Sequence, residues 1–107
     1  MSDVLEGLKR AKELIERGWT QNTLARATDG APTATFAEDA VSFCISGACV
    51  RGAMEIGLPV WKLDGAIEAA LRKHGYHRRI ANWNDQPKRT KEEVLALMEE
   101  AIRDAKE

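Results

Sequence analysis

The sequence predicts an all-α domain of four main helices, three of which pack around a buried central helix at about residues 36–56. Residues 40–50 carry no charge in a chain where 31% of residues are charged, which is typical of a helix buried on all sides. Three other segments place apolar side chains at helical spacing, one before this stretch and two after it. Their apolar stripes need a surface to cover, and the central helix supplies it.

The amphipathic segments give the bounds of the three outer helices, at about residues 4–17, 64–74 and 91–105. Gly18 and Gly75 directly follow the first two segments. A glycine in this position commonly takes the left-handed conformation that ends a helix. We therefore expect that conformation at both glycines.

Two capping boxes mark the starts of the central and last helices. Thr35 is followed three residues later by Glu38, and Thr90 by Glu93. In a capping box the two side chains bond reciprocally to backbone N–H groups of the first turn. The central helix is expected to stop at Gly57, because the proline two residues later disfavours its continuation.

Residues 20–34 show no helical stripe and can form either a short hairpin or an irregular loop. Asp29-Gly30 is a turn signal, and Pro32 blocks a helix soon after it. A hairpin here would add a small sheet to the helices. The alternative fold class is therefore α+β.

Length and composition indicate one ordinary domain, residues 1–107. No apolar run approaches the roughly 20 residues of a membrane span, and the first ten residues lack a signal-peptide pattern. We expect a cytoplasmic protein without membrane attachment. Cys44 and Cys49 are expected to be reduced and buried in the central helix, and the residue spacing indicates no metal and no cofactor.

An unusual polar loop is predicted around Trp83, with Asn82, Asn84 and Asp85 beside it. Short polar side chains of this kind can hold a tight loop by bonding to its backbone, while the tryptophan fills the core. They can equally present oxygens beside an aromatic wall to a small polar ligand. In that second interpretation, His74 or His77 completes the candidate ligand site.

The charge is unevenly distributed along the chain. Residues 72–91, the basic segment, hold seven basic residues against the single acid Asp85, a net charge of +6. The whole chain has a net charge of −1, so the remainder carries −7. A basic patch on an acidic body can attract an anionic partner. The candidate anion-binding residues are Arg72, Lys73, Arg78, Arg79, Lys88, Arg89 and Lys91.

Three groups of residues resemble a family of small bacterial proteins of unknown function. They are Gly18-Trp19, then Cys44-x-x-Gly47-Ala48, and finally Trp83-Asn84-Asp85-x-Pro87-x-x-Thr90-x-x-Glu93-Val94. The last string is the most specific. The resemblance implies a bacterial origin and a domain that stands alone. It implies no activity and no catalytic residues.

Function is predicted only as a class. The absence of a catalytic motif, together with three tryptophans, favours a protein-binding or regulatory module without catalytic activity, whose partner is another protein or a second copy. The first alternative is a small-molecule or enzymatic pocket at residues 82–85. The second alternative is an anion or nucleic-acid binder that uses the basic segment.

Overall fold

The computed structural model describes residues 3–106. Within them lie five helices and a two-stranded antiparallel sheet. The helical character of the predicted all-α domain is confirmed, whereas the sheet departs from an all-α fold and also allows the alternative α+β description. The elements in chain order are α1 Asp3–Arg17, β1 Ala25–Ala27, β2 Ala40–Phe43, α2 Ile45–Ile56, α3 Val60–Lys73, α4 Ile80–Asn84 and α5 Lys91–Lys106.

The core lies between the four long helices. Helix α1 packs on both α2 and α5, while α3 packs on α5 and α2. Of the helices in residues 3–106, none combines the length and the apolar character that a membrane crossing needs. The largest side chains of the core are those of Leu8, Ile15, Phe43, Ile45, Leu63, Ile67 and Met98.

The prediction of one continuous central helix at residues 36–56 is wrong for residues 36–44. Ala40–Phe43 form strand β2, and the helix begins only at Ile45. The Thr35–Glu38 box starts no helix, and Thr35 is buried instead. A short apolar run satisfies a buried helix and a buried strand equally well, so periodicity alone does not separate them.

Gly18 does not take the predicted left-handed conformation. Its backbone instead pairs with strand β2, because Phe43 N donates to Gly18 O (2.9 Å) and Thr20 N donates to Phe43 O (3.1 Å). A Cβ at Gly18 would overlap the carbonyl oxygen of Val41. The glycine is therefore needed for close approach of two backbones.

The other two predicted helix ends are confirmed. Gly57 and Gly75 have φ angles of 73° and 84°. Tyr76 N donates to Leu71 O (3.1 Å), the bond that closes a Schellman ending. The chain therefore reverses sharply after α3.

Residues 20–34 contain a turn and one strand. Ala27 N donates to Ala31 O (2.8 Å) across the predicted Asp29-Gly30 turn, and Gly30 has a φ of 86°. The longer pairing joins β1 to β2, which lies outside this segment. The hairpin interpretation thus located the turn and missed the main strand partner.

The starts of α3 and α5 differ in how well they were predicted. Helix α3 begins at Val60, four residues before the predicted Asp64, with Pro59 as its N-cap residue. Helix α5 has the predicted box: Thr90 N donates to a Glu93 carboxylate oxygen (2.9 Å), and Glu93 N donates to Thr90 Oγ1 (3.1 Å).

We predict opposite effects for alanine at two glycines. A Cβ at Gly47 would overlap the carbonyl oxygen of Leu24, whereas a Cβ at Gly65 meets nothing within 4 Å. Gly47→Ala should lower the free energy of unfolding by at least about 2 kcal/mol through overpacking. Gly65→Ala should raise it by about 0.5–1 kcal/mol, because alanine loses less backbone entropy in a helix. Urea unfolding measures both, and a neutral Gly47→Ala would contradict the close approach.

Candidate functional site

The predicted polar loop is a single turn of helix, α4, which spans Ile80–Asn84. Ile80 is buried and anchors its start, and Asp85 follows as its C-cap residue. Five residues are too few to show a helical period, and asparagine has low helix propensity. The sequence therefore gave no sign of this helix.

The side chain of Asn84 is fully buried and uses all of its hydrogen-bonding capacity. Its Oδ1 accepts from Trp19 Nε1 (2.8 Å) and Ile45 N (3.1 Å). Its Nδ2 donates to Thr20 O (3.2 Å) and to Asp85 Oδ1 (2.9 Å). This amide has no capacity left for a ligand, and it ties α4 to the start of α2.

Asp85 also bonds to the chain segment after α1. Its Oδ1 accepts from Asn22 N (2.9 Å), and Asn22 has a left-handed φ of 70°. Gln21 Nε2 donates to the backbone oxygens of Asn84 (2.9 Å) and Gln86 (2.8 Å). These contacts support the interpretation in which Asn84 and Asp85 hold the chain in place by bonding to its backbone, rather than the one in which they bind a ligand. Asn82 is exposed.

Trp83 belongs to a groove between α3, α4 and α5, which we call the Trp83 groove. Its volume is about 440 Å³, within the range of small-molecule sites. Its lining combines an apolar floor with polar groups at the rim. The lining residues are Leu71, Tyr76, Trp83, Ala96 and Leu97, with His74, Gln86, Arg89, Glu93 and Glu100.

Arg89 holds Trp83 in place. Its guanidinium lies 3.7 Å from the centre of the indole ring, a cation–π contact. Arg89 Nε donates to Trp83 O (2.9 Å), and another of its nitrogens donates to Gln86 Oε1 (2.8 Å). The tryptophan is therefore a fixed wall of the groove, and Arg89 is already engaged.

Two carboxylates at the rim are held in the ionised form. His74 and Lys73 both contact Glu100, at 2.7 Å and 2.9 Å, and these hydrogen bonds, with that from His74 the stronger, lower the pKa of Glu100. The backbone N–H of Thr90 is the main cause that lowers the pKa of Glu93. Both rim carboxylates are therefore ionised at neutral pH, and each is paired with a cation, Glu93 with Arg89 (3.5 Å) and Glu100 with Lys73.

The basic segment does not form one continuous surface, because three of its side chains are engaged within the fold. Lys73 pairs with Asp104 (2.8 Å) as well as with Glu100. Lys91 Nζ donates to Glu16 O (2.8 Å), and Arg89 stacks as described. These three contribute to packing between elements.

The other basic residues of the segment are exposed: Arg72, Arg78, Arg79 and Lys88. Lys88 stands apart, while His77 lies with three arginines rather than at the Trp83 groove. The candidate histidines are thus separated, with His74 in the groove and His77 outside it. A separate depression is lined by Glu68, Arg72, His77, Arg78 and Arg79.

Both cysteines are free and buried, as predicted, but Cys44 is not inside a helix. It is the N-cap residue of α2, and its Sγ accepts from Gly47 N (3.2 Å). Burial raises the pKa of Cys44 and raises that of Cys49 further. The spacing Cys44-x-x-Gly47 is therefore explained by a helix cap and by the close approach at Gly47.

Sequence reasoning missed the α5 side of the groove. Ala96 is exposed and Leu97 is buried there, next to Glu100. A small apolar residue on the outer face of an amphipathic helix was the only available signal, and it is a weak one.

The fold and the site define a small, mostly helical protein with an apolar groove fixed by Arg89. In residues 3–106, no cluster of three or more His, Cys, Asp or Glu side chains is placed to hold a metal ion. The chain belongs to a family of unknown function (DUF6197), whose model matches residues 1–104. No curated protein matches it, and no solved structure does either.

We predict that Asn84→Ala destabilises the fold while Asn82→Ala does not. Removing the Asn84 amide leaves the buried donor Ile45 N and the partly buried donor Trp19 Nε1 without an acceptor. The free energy of unfolding should fall by at least about 2 kcal/mol. The exposed Asn82 is the matched control, expected within about 0.5 kcal/mol of the parent protein. Equal midpoints for the two variants in thermal unfolding would refute the role of Asn84.

Proposed function

We propose that the protein is a small binding module whose Trp83 groove takes a small molecule with an apolar or aromatic body. The observation that carries this proposal is the fixed position of Trp83 over an apolar floor, in a groove of about 440 Å³. A preformed wall lowers the entropic cost of binding, since little has to be ordered when the ligand arrives.

The charged rim indicates which end group the ligand carries. Glu93 and Glu100 are ionised, and Arg89, the arginine that lines the groove, is engaged with Trp83, Gln86 and Glu93. A ligand carboxylate would meet two negative charges and no free guanidinium. An amine or hydroxyl can donate to these carboxylates.

This proposal predicts a ranking among three probes that share one ring: benzylamine, benzyl alcohol and benzoate. The amine should bind most tightly and benzoate most weakly, because only the end group differs. Two-dimensional ¹H–¹⁵N NMR at millimolar probe concentration resolves the indole N–H signals of the three tryptophans. The Trp83 signal should move while that of the exposed Trp61 stays.

Substituting phenylalanine for either of two alanines makes the test specific to the groove. Ala96→Phe places a ring in the groove from an exposed position and should abolish the shift. Ala69→Phe, at an exposed position on α3 outside the groove, should leave it unchanged. Probe binding that survives Ala96→Phe, or no response of Trp83 to any probe, would reject the proposal.

A second candidate function is self-association through exposed apolar side chains where α2 meets α3. Trp61 is 67% exposed, Met54 57% and Ile56 41%. Exposed apolar patches often mark interfaces, and tryptophan is enriched among the residues that dominate binding energy. Lys62 lies 5.7 Å from the centre of the Trp61 ring and leaves most of it open to solvent.

Sedimentation velocity tests this second candidate. The parent protein should form dimers as its concentration rises, and Trp61→Ser should weaken the dimer by about tenfold or more, as expected for a central interface residue. Phe36→Ser is the matched control, since Phe36 is 62% exposed and lies on a different part of the chain. A parent protein that stays monomeric, or equal effects of the two variants, would exclude the candidate.

A further inference from the structure

A second concave site lies at the turn between α3 and α4 and is independent of the Trp83 groove. This depression has a volume of about 300 Å³. Three arginines and one histidine line it, against a single acidic residue, Glu68. We call it the arginine site, and its basic residues are Arg72, His77, Arg78 and Arg79.

The reversal of the chain after α3 brings these residues together. Arg72 lies in the last turn of α3, and Gly75 then turns the chain back with a φ of 84°. Tyr76 N is fixed on Leu71 O, and Arg79 is the N-cap residue of α4. The two neighbouring arginines of the turn therefore return beside the end of α3.

Within residues 3–106 none of these arginines forms an ion pair or a side-chain hydrogen bond, although the charge of Arg79 acts on Asp64 from a distance. In the part of the chain that the structure describes, no carboxylate lies within 4.0 Å of Arg72, Arg78 or Arg79. Glu68 and Arg72 are four residues apart on one helix, the spacing at which such side chains commonly pair, and they do not pair.

Two backbone carbonyls at the end of α3 are already in use. The carbonyls of Leu71 and Arg72 already accept from the N–H groups of residues 74–76. Several other arginines are engaged within the fold: Arg10 pairs with Glu55 at 2.6 Å and Arg51 pairs with the same carboxylate at 2.9 Å. The three arginines that line the depression carry like charges, which repel one another. An anion bound there would reduce this electrostatic repulsion.

We propose that the arginine site binds a compact phosphate-bearing small molecule. The guanidinium fork matches phosphate oxygens in geometry and charge, and three arginines line one depression. The volume suits one or two phosphoryl groups. An extended nucleic acid fits less well, because the chain outside the basic segment carries −7 and would repel a long polyanion.

Inorganic pyrophosphate is the probe, titrated into the full-length protein at constant ionic strength and followed by NMR. The backbone signals of residues 72–79 should shift and saturate. Arg78→Gln and Arg72→Gln should each weaken binding by about tenfold, the effect of losing one charge-assisted hydrogen bond. Both residues are exposed, so thermal midpoints should match that of the parent protein.

Lys88→Gln is the control, because Lys88 is exposed in the same basic segment but outside the depression. It removes the same charge and should change the affinity less than twofold, as expected for a distant, screened charge. Equal losses from Lys88→Gln and Arg78→Gln would show a diffuse charge effect and overturn the proposal. So would the absence of saturable shifts, or a short DNA duplex that binds where pyrophosphate does not.

Discussion

The arrangement of the molecule depends on one buried amide, that of Asn84. It accepts from the Trp19 indole and from the first N–H of α2, and it donates to the backbone at Thr20. The segment after α1, the start of α2 and α4 itself are therefore joined by one group without spare hydrogen-bonding capacity. Because Trp83 precedes Asn84 in the same turn of helix, fixing the amide also fixes one wall of the Trp83 groove.

Close backbone approaches complete this frame. Gly18 lies against Val41 and Gly47 lies against Leu24, so β2 and the start of α2 are held by neighbouring backbone on both sides. Cys44 stands between them, caps α2 with its thiol and is buried. Gly18 and Gly47 are required because neighbouring backbone lies too close for a Cβ atom, and not because they adopt a left-handed conformation. The expectation that Gly18 ends α1 in that conformation was therefore wrong.

Local signals predicted the parts of the fold that depend on local physics. The stripes of α1 and α5, the box at Thr90 and the turn at Gly75 could be found because caps and periodicity lie within a few residues. Strand β2 could not, since its identity depends on pairing with distant backbone. The bond between Trp19 and Asn84 spans 65 positions and leaves no pattern that a sequence window can detect.

The sequence was also a poor guide to which basic side chains are free to bind a ligand. Composition counts seven basic residues in the basic segment as one patch, but the fold assigns them different partners. Lys73, Arg89 and Lys91 are engaged with α5 carboxylates, an indole ring and a backbone carbonyl. A side chain that already holds elements together contributes little to a ligand, since recruiting it would break an existing contact. The basic residues without internal partners are therefore the informative ones, and three of them share one depression.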